Sequence, residues 1–190
     1  MPDLPPYKPT KVPLADSARA TRELLKYTPQ MPIAERNRRW DRLRKKMRMH
    51  DLGALVFLGN DIYWGMGMAN LRYVFQVDSQ IGADALFPME GAPVVWNAVQ
   101  HMNRPTSMYL SIQEWVTDFR PRGGIPDIVA ELRTRALDRG RIGLVGFSNT
   151  IQPAAFLRDQ VLALEKELPN ARLSDATGLL QDMRLIKSEA

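Results

Sequence analysis

Residues 33–59 read IAERNRRWDRLRKKMRMHDLGALVFLG, and the change of pattern inside this stretch decides the fold. Ile33, Trp40, Leu43 and Met47 follow at spacings of seven, three and four, which lays one apolar stripe along a helix. Pro32 stands where a first helical turn tolerates proline. The stripe ends near His50, and Ala54 to Leu58 is then a continuous apolar run closed by Gly59-Asn60. Its length and its breaker predict a buried strand.

Outward from this stretch, residues 60–70 contain Gly65, Gly67 and three large side chains, and read as a loop. Leu71 to Val77 predicts a strand, with Tyr73 and Phe75 two apart. Ala83 to Phe87 and Pro93 to Trp96 predict two strands joined by a tight turn at Glu90-Gly91. Trp115 to Phe119 predicts another strand. From there the period changes. Ile125, Ile128, Val129, Leu132 and Ala136 mark an amphipathic helix closed by Gly140. Ile142 to Val145 reads as a strand, and Phe156, Leu157, Val161, Leu164 and Leu168 mark a helix after Pro153. Ala171 to Ser174 is a short strand, and Asp175 can cap a last helix carrying Leu179, Leu180 and Met183. Strands follow one helix in the first half, and helix and strand alternate in the second. This predicts an α/β fold, a mixed β-sheet flanked by helices.

Residues 1–31 carry Pro2, Pro5, Pro6, Pro9, Pro13 and Pro29, which break regular structure and predict an extended arm with a short helix near Ala15 to Lys26. The domain proper is expected over residues 32–190. A chain of 190 residues, 45% apolar and 25% charged, has the composition of a soluble globular protein. It has no cysteine, which excludes disulfides, thiolate zinc sites and a cysteine nucleophile. That composition suits a reducing cytoplasm. No run approaches the roughly 18 apolar residues of a membrane span, and Met1 to Thr10 has no apolar signal core. No membrane association is expected.

The net charge of +5 is concentrated in Arg36 to Arg48, which holds eight Lys or Arg. Such a run can track phosphates, but Glu35 and Asp41 interrupt it and no aromatic or glycine-rich nucleic-acid motif lies nearby. A solvated helix face is the expectation, with nucleic acid a third-ranked partner. Candidate catalytic groups are sparse. His50 falls at a helix end, where a cation suits the dipole, and His101 lies in a polar loop; neither has a second ligand at metal-binding spacing. Ser107 and Ser148 lack the nucleophile-elbow glycines, and Gly65-Met-Gly67 and Gly143-Leu-Val-Gly146 are not phosphate loops. Asp78, Asp84 and Glu90 are scattered rather than paired. No catalytic residue and no metal ligand is expected in this chain.

Three segments resemble a known family. The helix Glu35 to Leu43 followed by Gly53-Ala-Leu-Val-Phe57 resembles the opening of the N-terminal domain of the creatinase/prolidase/aminopeptidase P family of pita-bread metallohydrolases. Asn70-Leu-Arg-Tyr73 resembles its Asn-Ile-Arg-Tyr segment. Met183-Arg-Leu-Ile-Lys-Ser-Glu189 resembles the seam where the family passes into its catalytic domain. The resemblance covers about residues 32–190 and implies a mixed sheet with a ribonuclease H-like motif. It implies a catalytic domain after residue 190 that binds two divalent metals (zinc, manganese, cobalt or iron). It also implies a homodimer through the present domain and a small peptide or small-molecule substrate. The absence of a helix stop before Ala190 fits a chain that continues.

In such dimers, residues near the Asn-Ile-Arg-Tyr segment wall a neighbouring active site, which makes Arg72, Tyr73, Gln76 and Trp96 the candidates here. Arginine can hold a carboxylate through two parallel hydrogen bonds, and Tyr and Trp offer a rigid wall with a polar tip. Tyr73 and Trp96 suit the sheet's core equally well, whereas strand alternation turns Arg72 and Gln76 away from Tyr73 and Phe75. Where peptidase members continue with Thr-Gly or Ser-Gly, this chain has Val74-Phe75-Gln76. That leaves room for creatine hydrolysis, for lyases acting on dimethylsulfoniopropionate, or for an inactive protein-binding module.

Overall fold

The computed structural model describes residues 31–59, 66–77, 82–97, 114–120, 123–147 and 156–185. Residues 1–30 of the N-terminal arm with its expected helix, His101, Ser107, Asp78, Ser148 and the last four residues of the closing segment lie outside them.

Helix α1 (Ile33–Met49) buries Trp40, Leu43 and Met47, as the stripe requires. The chain reverses at Asp51, whose φ of 55° is left-handed, and the Leu52 amide donates to the Met47 carbonyl at 2.9 Å. Strand β1 (Ala54–Gly59) follows and pairs antiparallel with β2 (Ala83–Pro88) and parallel with β5 (Arg141–Val145). With β3 (Val94–Asn97), β4 (Asp118–Arg120) and β6 (Arg172–Asp175) the sheet has six strands, in the order β4-β3-β2-β1-β5-β6. β1 is therefore central. Leu55 and Phe57 enter one core while Ala54, Val56 and Leu58 enter the other, so the apolar run has no polar alternation.

The first core lies beneath α1, α2 (Ala69–Phe75) and α5 (Thr177–Leu185). The second lies beneath α3 (Ile125–Thr134) and α4 (Arg158–Glu167). The fold is thus α/β, a mixed six-stranded sheet flanked by five α-helices among the described residues.

One element differs in kind from the sequence expectation. Residues 69–75 are a helix, entered through a 3-10 turn at Met66–Met68, and not part of a strand. Leu71, Val74 and Phe75 are buried at helical spacing, which places an apolar β-branched residue where alternation required an outward polar one. Seven residues carry either period, so burial decides. Gly59, read as a strand breaker, is the last residue of β1 and lets α2 lie against it. A Cβ there would overlap the Leu71 side chain and the Met68 sulfur.

Two boundaries also move. β4 begins at Asp118 because Trp115 and Val116 are buried ahead of it, with the Trp115 indole N–H donating to the Met31 carbonyl at 3.0 Å. α3 stops at Thr134, not at Gly140. Ala136 turns left-handed at φ 55°, and the Leu137 amide closes on the Leu132 carbonyl at 2.8 Å. The cap expected from Asp175 is present, its carboxylate accepting the Thr177 N–H at 2.8 Å.

Candidate functional site

Of the residues singled out, Arg72 and Tyr73 sit on α2 and Gln76 caps its end; α2 has seven residues, fewer than an isolated helix needs in water. Its neighbours therefore set its position. From α1, Arg39 Nη1 donates to the Tyr73 carbonyl and Trp40 Nε1 to the Val74 carbonyl, each at 2.8 Å. These are last-turn carbonyls that the helix itself leaves unpaired. The Arg39 guanidinium also lies 4.3 Å over the Tyr73 ring and 5.3 Å from the Trp115 ring.

Glu35 balances that charge, accepting from Arg39 Nε at 2.6 Å. Arg38 grips the same carboxylate through Nε and Nη2 at 2.6 and 2.7 Å, and this partner raises the pKa of Arg38 above its ordinary value. Arg39 is only 6% exposed and Glu35 4%. The basic helix is therefore not a uniformly solvated face, which corrects the sequence reading. Arg36 and Arg44 donate to the Trp115 and Gly91 carbonyls, and Lys46 pairs with Asp182 at 3.2 Å. Arg42, Lys45 and Arg48 keep no partner among the described residues.

From α5, Arg184 Nη1 donates to Asn70 Oδ1 at 3.0 Å, and the Tyr73 hydroxyl donates to the Met183 carbonyl at 3.1 Å. Burial lowers the pKa of Arg184. Neither Asn70 nor Arg184 emerged from the sequence as a site residue. Both lie inside the two segments that carry the family resemblance, and that coincidence was the available signal.

Arg72 and Gln76 still share a face, now by helical i,i+4 spacing, and Tyr73 stands beside them. All three are half-buried, and Gln76 ends the helix in a left-handed conformation with φ 55°. Trp96 is elsewhere. It is 2% exposed in the second core, beneath the opposite face of the sheet, with the Arg120 guanidinium 5.6 Å from its ring. Asp118 and Glu131 hold that guanidinium at 2.8 and 2.7 Å. The fold thus brings three of the four candidates together and separates the fourth.

Asp84, opposite Trp96 in the β2–β3 register, is a group the sequence left unassigned. Burial pushes its carboxyl up to about 7, with Asp127 adding to the rise and the Gly124 N–H opposing it. The chain at Gly123 comes so close that a Cβ would stand 2.7 Å from Asp84 Oδ2 and 2.6 Å from Trp96 Cβ.

Among the described residues no three His, Asp or Glu side chains converge, so none is assigned to the metal pair that the family resemblance implies. No described helix is long and apolar enough to cross a membrane. A groove of about 380 Å³ between α3 and α4 is lined by Ile125, Val129, Ala163 and the Arg133–Glu167 pair.

Residues 39–186 match the Creatinase/Prolidase N-terminal domain family, and the chain belongs to that family. No curated protein matches it by sequence. Among solved structures it is similar to an Xaa-Pro aminopeptidase from Streptococcus pyogenes, at 16% identity and a TM-score of 0.57, over 80% of this chain and 100% of that one. It is similar to the prolidase from Pyrococcus horikoshii, at 14% identity and a TM-score of 0.53, over 79% of this chain but 35% of that one. A third likeness is to the N-terminal domain of the FACT complex subunit SPT16 from chickpea, at 16% identity and a TM-score of 0.53, over 81% of this chain and 38% of that one. The chain spans about a third of the prolidase it resembles.

Proposed function

We propose that this chain is the non-catalytic N-terminal domain of a metal-dependent Xaa-Pro peptidase or creatinase-like hydrolase of the cytoplasm. In this reading it supplies contacts to a second subunit and one wall of an active site that a following domain builds around two divalent metals. The carrying observation is the family match over residues 39–186. The likeness to the whole of one aminopeptidase chain and to a third of a prolidase supports it. Arg72, Tyr73 and Gln76 form the wall, because they share one short helix held from both sides. Trp96, under the other face, takes no part.

Val74-Phe75 in place of the peptidase glycine leaves room within this reading for creatine as substrate, and outside it for a family member with other chemistry, a dimethylsulfoniopropionate lyase. A second reading, a protein-binding module without catalysis, is favoured by the likeness to a subunit of the FACT complex. The nucleic-acid reading loses support because five of the eight cations of α1 already bond groups of this chain, one of them, Arg39, buried.

The test is to express the whole reading frame, load it with manganese or zinc, and follow proline release from Xaa-Pro dipeptides. Turnover by the longer protein, with none from residues 1–190 alone, is the expected result. A reading frame that ends at Ala190, or continues without carboxylate and histidine ligands, would transfer the conclusion to the binding module.

A further inference from the structure

We infer that Asn70 and Arg184 are positioning residues, a clasp that ties the α2 surface to the end of α5. The geometry stands by itself, and the functional meaning rests on the wall reading above. Asn70 begins the first full turn of α2 and is 2% exposed, so its amide oxygen needs an internal donor, which Arg184 supplies. One turn on, the Tyr73 hydroxyl donates to the carbonyl of Met183, in the last turn of α5, where helix carbonyls lack intrahelical partners. Residues i and i+3 of one short helix therefore meet consecutive residues of another.

The opposite end of α2 is fixed by the α1 bonds to the Tyr73 and Val74 carbonyls. α1 precedes β1 and is anchored over the central sheet, whereas α5 is the last described helix. A displacement of α5 consequently reaches α2 through the Asn70–Arg184 and Tyr73–Met183 bonds. Arg72 and Gln76 ride on α2. The clasp thus couples the position of the wall to that of α5.

Hydrogen–deuterium exchange of peptides covering residues 69–76 in the full-length protein tests the clasp. Asn70→Ala and Arg184→Met should each raise exchange there at least tenfold, with β1 and β5 unchanged. The double variant should do no more than either single one, and Arg184→Lys, which keeps a donor, should restore part of the protection. No local rise, or an equal rise across the sheet, would overturn the clasp. Kinetics on an Xaa-Pro dipeptide separate the two levels. If Arg72→Ala alters KM or kcat and Arg184→Met does not, the positioning role fails while the wall stands. If neither alters them, the wall reading fails with it.

Discussion

The two faces of the sheet are held by different physics. Under α3 and α4 the second core is apolar contact, with polar bonds at its edges, where Arg133 joins the Glu167 carbonyl, Arg135 the Ala92 carbonyl and Arg120 the Glu131 carboxylate. Under α1, α2 and α5 the packing is interleaved with directional bonds: Arg39 to the Tyr73 carbonyl, Trp40 to the Val74 carbonyl, Tyr73 to the Met183 carbonyl, Arg184 to Asn70. Apolar contact sets stability without fixing position closely, because it has no direction. Hydrogen bonds add little net stability each but fix geometry. Both faces draw stability from apolar burial, and the first adds directional bonds that place the α2 surface.

Apolar truncation should not tell the faces apart. Leu43→Ala, under α1, and Leu132→Ala, under α3, each remove a fully buried side chain and should each cost about 2–5 kcal/mol in denaturant unfolding. A cost under about 1 kcal/mol at Leu43 would mean that the α1 face is not a core. Polar truncation should tell them apart. Arg39→Met removes a guanidinium from the buried Glu35 carboxylate and strips the Tyr73 carbonyl of its donor. A loss of about 3 kcal/mol is expected, measured by the same unfolding experiment.

The second face has its own polar weakness in Asp84. Its folded pKa is raised to about 7, above that of the unfolded chain. The folded state therefore holds the extra proton between those two values, and this group makes stability fall as pH rises from about 4 to about 7. Asp84→Asn should be more stable than wild type at pH 8, by about 1–3 kcal/mol, and gain little at pH 4. Thermal unfolding across that range checks the sign, and an advantage confined to acid pH would contradict it. The smallest effect belongs to the solvated cations. Arg48→Ala should shift stability by no more than about 0.5 kcal/mol, because Arg48 is exposed and has no partner among the described residues.

The second face was legible in the sequence almost element by element, because apolar periodicity is its whole construction. Ile128, Val129 and Leu132 are buried where their spacing puts them. The first face was legible only for its apolar part. Trp40, Leu43 and Met47 declared themselves, but α2 read as a strand because Leu71, Tyr73 and Phe75 also alternate. The burial of Arg39 and Glu35 was hidden for a related reason. Nothing in a run of cations marks the one whose partner carbonyl lies 34 residues away at Tyr73. Trp96 misled in the opposite direction, since an aromatic in a strand reads the same whether it lines a site or fills a core. Asn70 and Arg184 could have been found only by asking whether two separate segments, each resembling the family, carry residues able to bond each other.

The central claim is that the α2 surface of this domain walls an active site built by another segment. Steady-state kinetics of Arg72→Ala and Gln76→Ala in the full-length protein, on an Xaa-Pro dipeptide, test it most directly. Each variant should change KM or kcat by at least about tenfold, about 1.4 kcal/mol, while the unfolding midpoint stays near wild type. Wild-type kinetics in both would contradict the claim and leave the domain as an assembly element alone.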